Sequence, residues 1–133
     1  MVSIVEACAE EAQRRDLRRL GLLGTRFTME GSFYPTVFAR RGIAVLSPNS
    51  EERAWIHDRY VGQLLKGEFR DETRDGVKSV IRRLREEENI DGVILGGTEL
   101  TLLLSEPVVA DIPALDTTAL HVDAIVKRLR ALG

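Results

Sequence analysis

Asp91-Gly92-Val93-Ile94-Leu95-Gly96-Gly97-Thr98-Glu99 is the stretch on which the fold turns. Val93, Ile94 and Leu95 form a continuous apolar run bounded by glycines, the pattern of a strand buried on both faces of a parallel sheet. Gly96-Gly97 end it, and Thr98 opens a leucine-rich segment that reads as a short helix over 98–105. Working outward, the same strand-then-small-residue pattern recurs. Leu20-Gly21-Leu22-Leu23 runs into Gly24-Thr25, Ile43-Ala44-Val45-Leu46 into Ser47-Pro48-Asn49, and Ile112-Pro113-Ala114-Leu115-Asp116 into Thr117-Thr118.

Between these runs the apolar residues take helical spacing. A helix is expected over 2–15, carrying Ile4, Val5, Cys8, Ala9 and Ala12. The next spans 27–41 with Phe33, Val37 and Phe38 facing inward. Pro35, tolerated in a first turn, moves its true start toward Phe33. Ser50 is the expected N-cap of a helix over 51–66 that carries Trp55, Ile56, Tyr60, Leu64 and Leu65 and ends at Gly67. Helices over 71–88, with Val77, Val80, Ile81 and Leu84 on one face, and over 117–132 complete the chain. Alternation of strand and helix predicts an α/β fold: a single four-stranded parallel sheet with helices on both faces, a flavodoxin-like layer sandwich forming one domain over 1–133.

Composition removes several function classes. The 133 residues suit one domain, and 44% apolar content is ordinary. A net charge of -2, interspersed signs and 5% aromatics give no basic surface for nucleic acid or an anionic membrane. No apolar run approaches the ~18 residues of a membrane span. Met1 to Glu6 lacks the basic start and apolar core of a signal peptide. Cys8 is the single cysteine, which excludes a disulfide framework, argues against a cysteine metal site and suits a reducing cytoplasm.

In open parallel sheets ligands bind beyond the carboxyl ends of the strands. Here those ends gather Gly24-Thr25-Arg26-Phe27-Thr28, Gly96-Gly97-Thr98-Glu99 and Asp116-Thr117-Thr118. Glycines admit an anion close to the backbone, helix starts offer free N–H groups, and the threonines add hydroxyls, so a carboxylate or phosphate is the predicted ligand. The competing reading of each loop alone is turn-and-cap chemistry. No Gly-Lys-Ser/Thr follows the glycines and no Gly-x-Gly-x-x-Gly follows the first strand, which argues against a nucleotide. Cys8 reads as core packing, His57 as a half-exposed surface residue, and His121 as locally bonded. Arg26 reads either as anion-reaching or as solvated, and Glu99 as favourable at a helix start whatever its function.

Leu22-Leu23-Gly24-Thr25-Arg26-Phe27-Thr28-Met29, Gly92 to Glu99 and Leu115-Asp116-Thr117-Thr118-Ala119-Leu120-His121 together resemble the aspartate/glutamate racemases that work without pyridoxal phosphate or metal. The resemblance covers nearly the whole chain but only the C-terminal lobe of a two-lobed architecture. It implies a cleft between lobes, with one cysteine on each side of the substrate carbon, because inverting a stereocentre needs an acid and a base on opposite faces. Carried over, Thr25, Thr28, Gly96, Thr98 and Thr117 bind substrate carboxylate, Glu99 assists the thiol, and the thiol belongs at Gly97, where this chain has none. The resemblance further implies that the N-terminal lobe and its cysteine are missing. Leu120, Ala124, Ile125, Val126 and Leu129 of the closing helix then need a partner, either this chain's own sheet or a second copy of the chain. Three functions follow in order of preference: a racemase-family lobe that binds an acidic amino acid or small dicarboxylate and is inactive alone; a non-catalytic carboxylate-binding module; and a decarboxylase or isomerase of small dicarboxylates. No cofactor is expected, and the partners considered are a homodimer mate or the missing lobe.

Overall fold

The computed structural model describes residues 3–132. Helix α1 (Ile4–Arg14) is capped by Ser3, whose side chain accepts from the Glu6 amide. The expected start at Val2 lies outside the described residues. Strand β1 (Arg19–Leu23) follows, then α2 (Arg26–Glu30), α3 (Phe33–Ala39), β2 (Ala44–Leu46) and α4 (Ser50–Gly62). A 3-10 turn over Leu64–Lys66 leads to α5 (Asp71–Glu88), β3 (Gly92–Leu95), α6 (Thr98–Leu103), β4 (Val108–Val109), β5 (Ile112–Asp116) and α7 (Thr117–Leu132).

The α/β architecture with helices on both faces holds, but the sheet has five strands and is mixed, in the order β2-β1-β3-β5-β4. Strands β2, β1, β3 and β5 are parallel, as the pattern predicts, whereas β4 runs antiparallel to β5. The added strand is half of a hairpin whose two turn residues, Ala110 and Asp111, both have positive φ (50° and 66°). A two-residue turn of that kind matches the strand twist, and Ala-Asp carries none of the usual Asn-Gly signal for it.

Side chains alternate across the strands and build two cores. Leu20, Leu22, Ile94 and Leu115 meet Val5, Cys8, Ala9, Ala12, Val37 and Phe38 beneath α1 and α3. Leu23, Val93 and Leu95 meet Ile56, Tyr60, Val77, Ile81 and Leu84 beneath α4 and α5. Asp91 sets the register at the sheet's lower edge, accepting from the amides of Arg18 and Arg19 at 2.9 and 3.0 Å.

Local differences from the sequence reading have local causes. The helix expected over 27–41 is two helices, broken at Gly31-Ser32. Phe33 begins the second, 64% exposed rather than inward, with Pro35 in its first turn. Asn49, not Ser50, caps α4, because Asn49 and Glu52 bond each other's backbone amides reciprocally. Arg83 of α5 then forks onto both Glu52 oxygens at 2.5 and 2.6 Å, tying α4 to α5. The helix over 51–66 ends at Gly62; Gly67 closes the 3-10 turn in the left-handed region, and Leu65 is exposed. Of the closing helix, Leu120 packs partly on the core under α1, while Ile125, Val126 and Leu129 stay exposed.

Cys8 is wholly buried, and burial pushes its thiol up to about 12. The unfolded chain therefore ionises this thiol first as pH rises from the ordinary value of 9.0, while the folded chain keeps its proton. Stability contributed by the neutral thiol is complete below that range and falls by ~1.4 kcal/mol per pH unit on the way to the folded value. Denaturant melts between pH 8 and 11 are expected to show that extra slope in the wild type relative to Cys8→Ala; equal slopes would contradict it.

Candidate functional site at the strand ends

Strand order reverses between β1 and β3, the place where open parallel sheets bind ligands above the carboxyl ends of their strands. The two end loops touch there. The Gly96 amide donates to the Leu23 carbonyl at 2.8 Å, and a Cβ built on Gly24 would lie 3.4 Å from the Gly96 carbonyl oxygen. Thr28 from α2 fills the angle between them, its Cγ2 within 3.1 and 3.2 Å of Cβ positions at Gly24 and Gly96. A side chain at Gly24 would crowd Thr28, and one at Gly96 would collide with the Leu23 carbonyl at 2.7 Å.

The structure brings most of the sequence-selected residues to this edge. Thr25 and Thr28 bond each other with hydroxyl oxygens 3.4 Å apart, and Thr25 makes no side-chain cap bond to α2. Thr98 is exposed and shares a 3.1 Å hydroxyl contact with Thr118 at the start of α7, joining the β3 and β5 loops. Thr117 is different. It is buried and donates to the Leu95 carbonyl at 2.9 Å, so its proton is spent on holding the strand end. Arg26 turns outward to Glu30 at 3.6 Å, and its amide donates to His57 Nδ1 at 3.0 Å, which makes His57 a fixed acceptor at the rim. Because α2 and α6 are 5 and 6 residues long, their dipoles add little, and the polar character of the site comes from hydroxyls and loop amides.

Gly97 is the position where the family's thiol is expected, and its neighbour is Tyr60 of α4. A Cβ at Gly97 would overlap the Tyr60 hydroxyl oxygen and lie 3.0 Å from its Cζ. That hydroxyl donates to Glu99 Oε1 at 2.6 Å. Tyr60 comes from the last turn of α4, buried apart from 4% of its surface, and Glu99 from the first turn of α6. Burial, then the bond to Glu99, raises the Tyr60 phenol far above its ordinary value, so it stays protonated. The signal for it was available: a tyrosine on a core-facing stripe has a hydroxyl that must find a partner. Among the described residues no group of three or more His, Cys, Asp and Glu side chains is placed to hold a metal ion.

A family model described as Asp/Glu/Hydantoin racemase matches residues 1–125. The chain belongs to that family. Solved structures agree with this membership. An aspartate racemase homologue from Pyrococcus horikoshii OT3 superposes with a TM-score of 0.87 at 34% identity, over 96% of this chain and 55% of its own. A Yersinia pestis protein described as a candidate Asp/Glu racemase gives 0.82 at 34% identity, over 92% and 53%. The aspartate racemase of Picrophilus torridus shares the fold, at 0.65 and 20% identity over 94% and 51%. The chain thus spans about half the length of these relatives.

The backbone at Gly97 is extended (φ -177°), so any residue could adopt it and the constraint is steric alone. Gly97→Ala is expected to cost about 1–3 kcal/mol by overpacking against Tyr60. Combining it with Tyr60→Phe, which removes the overlapping oxygen, should recover at least ~1 kcal/mol in a double-mutant cycle by urea melts. Simple additivity of the two substitutions would show that the two positions do not collide.

Proposed function

We propose that this racemase-family chain acts as one α/β lobe, equivalent to the family's C-terminal lobe, which binds a small carboxylate and does not racemise it alone. The observation that carries the reading is the meeting of the Gly24-Thr25 and Gly96-Gly97-Thr98 loops at the β1/β3 reversal, with the Thr25 and Thr98 hydroxyls at its rim. Thr25, Thr28, Thr98 and the Gly96 backbone are the proposed carboxylate contacts, with Thr117 in a supporting role through its bond to Leu95. The ligand class is an acidic amino acid or a related dicarboxylate, and the reading calls for no cofactor.

Inactivity alone follows from chemistry. Inversion takes an acid and a base on opposite sides of the carbon. Gly97 supplies no thiol, and the proton-bearing pair beside it, Tyr60 and Glu99, stands on one side of the site only. The exposed row of Val122, Ile125, Val126 and Leu129 along α7 supports pairing with a second lobe, in a homodimer or from another chain. A single, wholly buried thiol fits a cytoplasmic setting, and no helix among the described residues is long and apolar enough to cross a membrane.

Aspartate, glutamate or citrate is expected to raise the melting temperature by a few degrees, because a ligand at 100 times its Kd adds about 2.7 kcal/mol of stability. Thr98→Val should remove most of the shift. If no small carboxylate moves the midpoint, the binding reading fails. In a polarimetric assay neither enantiomer of aspartate or glutamate should invert, and turnover by the purified chain would contradict the role given to Gly97.

A further inference from the structure

The space that a side chain at residue 97 would take is occupied by an oxygen already engaged in a short hydrogen bond. Tyr60 Oη stands over the Gly97 Cα and donates to Glu99 Oε1 at 2.6 Å. Both partners are held from behind. Tyr60 belongs to the buried core cluster that also holds Ile56, Leu64 and Leu95, and Glu99 stands in the first turn of α6. A hydroxyl whose proton points at a carboxylate can accept a second proton on oxygen while passing its own along the existing bond. This is the base-behind-hydroxyl arrangement common to activated side chains.

We propose that Tyr60 and Glu99 are the proton-transfer group of this face, and that they exchange the hydrogen on the carbon beside a bound carboxylate with solvent, from one side only. The inference rests on the carboxylate-binding reading above. In the forward step Tyr60 Oη takes the proton from the substrate carbon and the C–H electron pair moves into the adjoining carboxyl group as an enolate. At the same time Tyr60's own proton passes to Glu99 Oε1. The half-exposed Glu99 acid exchanges with water, and the reverse step returns a solvent hydrogen to the same face. The net change in heavy water is C–H plus D2O giving C–D plus HOD, with configuration retained because no group acts from the other side. Tyr60 is the catalytic residue in this step, and Glu99 is its proton acceptor. Exchange is followed over days.

The test is proton NMR of L-aspartate and L-glutamate with the full chain in D2O, beside a protein-free blank, with binding followed in parallel by the ligand-induced melting shift. The expected result is loss of the α-proton signal at least tenfold faster than the blank, with the L configuration kept. Tyr60→Phe and Glu99→Gln should both fall to the blank while keeping the melting shift. Exchange that survives in Tyr60→Phe, or exchange accompanied by inversion, would overturn the proposal. Binding without exchange would overturn it and leave the carboxylate-binding reading standing. Absence of binding would overturn that reading and this inference with it.

Discussion

Parallel pairing of Leu20–Leu23 with Gly92–Leu95 is the constraint from which the rest of the molecule follows. These two central strands are buried on both sides, and their side chains divide strictly between the two cores. Burying a Leu, Ile or Val side chain contributes ~1.5–3 kcal/mol, so a one-residue slip would exchange the faces of a whole strand and empty both cores at once. Asp91 guards that register from below by accepting two β1-side amides. From above, the Gly96 amide bonded to the Leu23 carbonyl fixes how closely the loops approach.

That approach makes the site. Two glycine-bearing loops meet where strand order reverses; the absence of a side chain at Gly24 leaves room for Thr28, and its absence at Gly96 lets that loop close onto the Leu23 carbonyl. The same sheet face that buries Leu23 and Leu95 also buries Tyr60, so α4 delivers a phenol to the upper edge of the sheet beside Gly97. Gly97 is thus less a vacancy than one half of a matched pair. A glycine admits the tyrosine hydroxyl, and Glu99 satisfies it at 2.6 Å.

Much of this is legible in the sequence. Strands β1, β2, β3 and β5, helix α5 and its inward face Val77, Val80, Ile81 and Leu84 follow directly from apolar spacing. The meeting of the Gly24 and Gly96 loops follows from strand ends in a parallel sheet. What was not legible depends on contacts distant in sequence or on weak turn signals. Strand β4 is two residues long and its turn is Ala110-Asp111, so neither periodicity nor turn chemistry announces it. Phe33 looks inward on a continuous helix and turns outward once Gly31-Ser32 breaks that helix. Tyr60 and Glu99 lie 39 positions apart, and they meet only through the folded core that Tyr60 shares with Leu95 and Leu100. The Thr117 hydroxyl, one of several at the strand ends, differs from Thr98 in being buried and in donating to the Leu95 carbonyl.

The central claim is that the β1 and β3 loops form one carboxylate site, and amide NMR during an aspartate titration tests it most directly. Saturable shifts confined to Gly24–Thr28, Gly96–Glu99 and the start of α7, with the α5 face silent, are the predicted result. Shifts centred elsewhere, or none up to saturating aspartate, would contradict it.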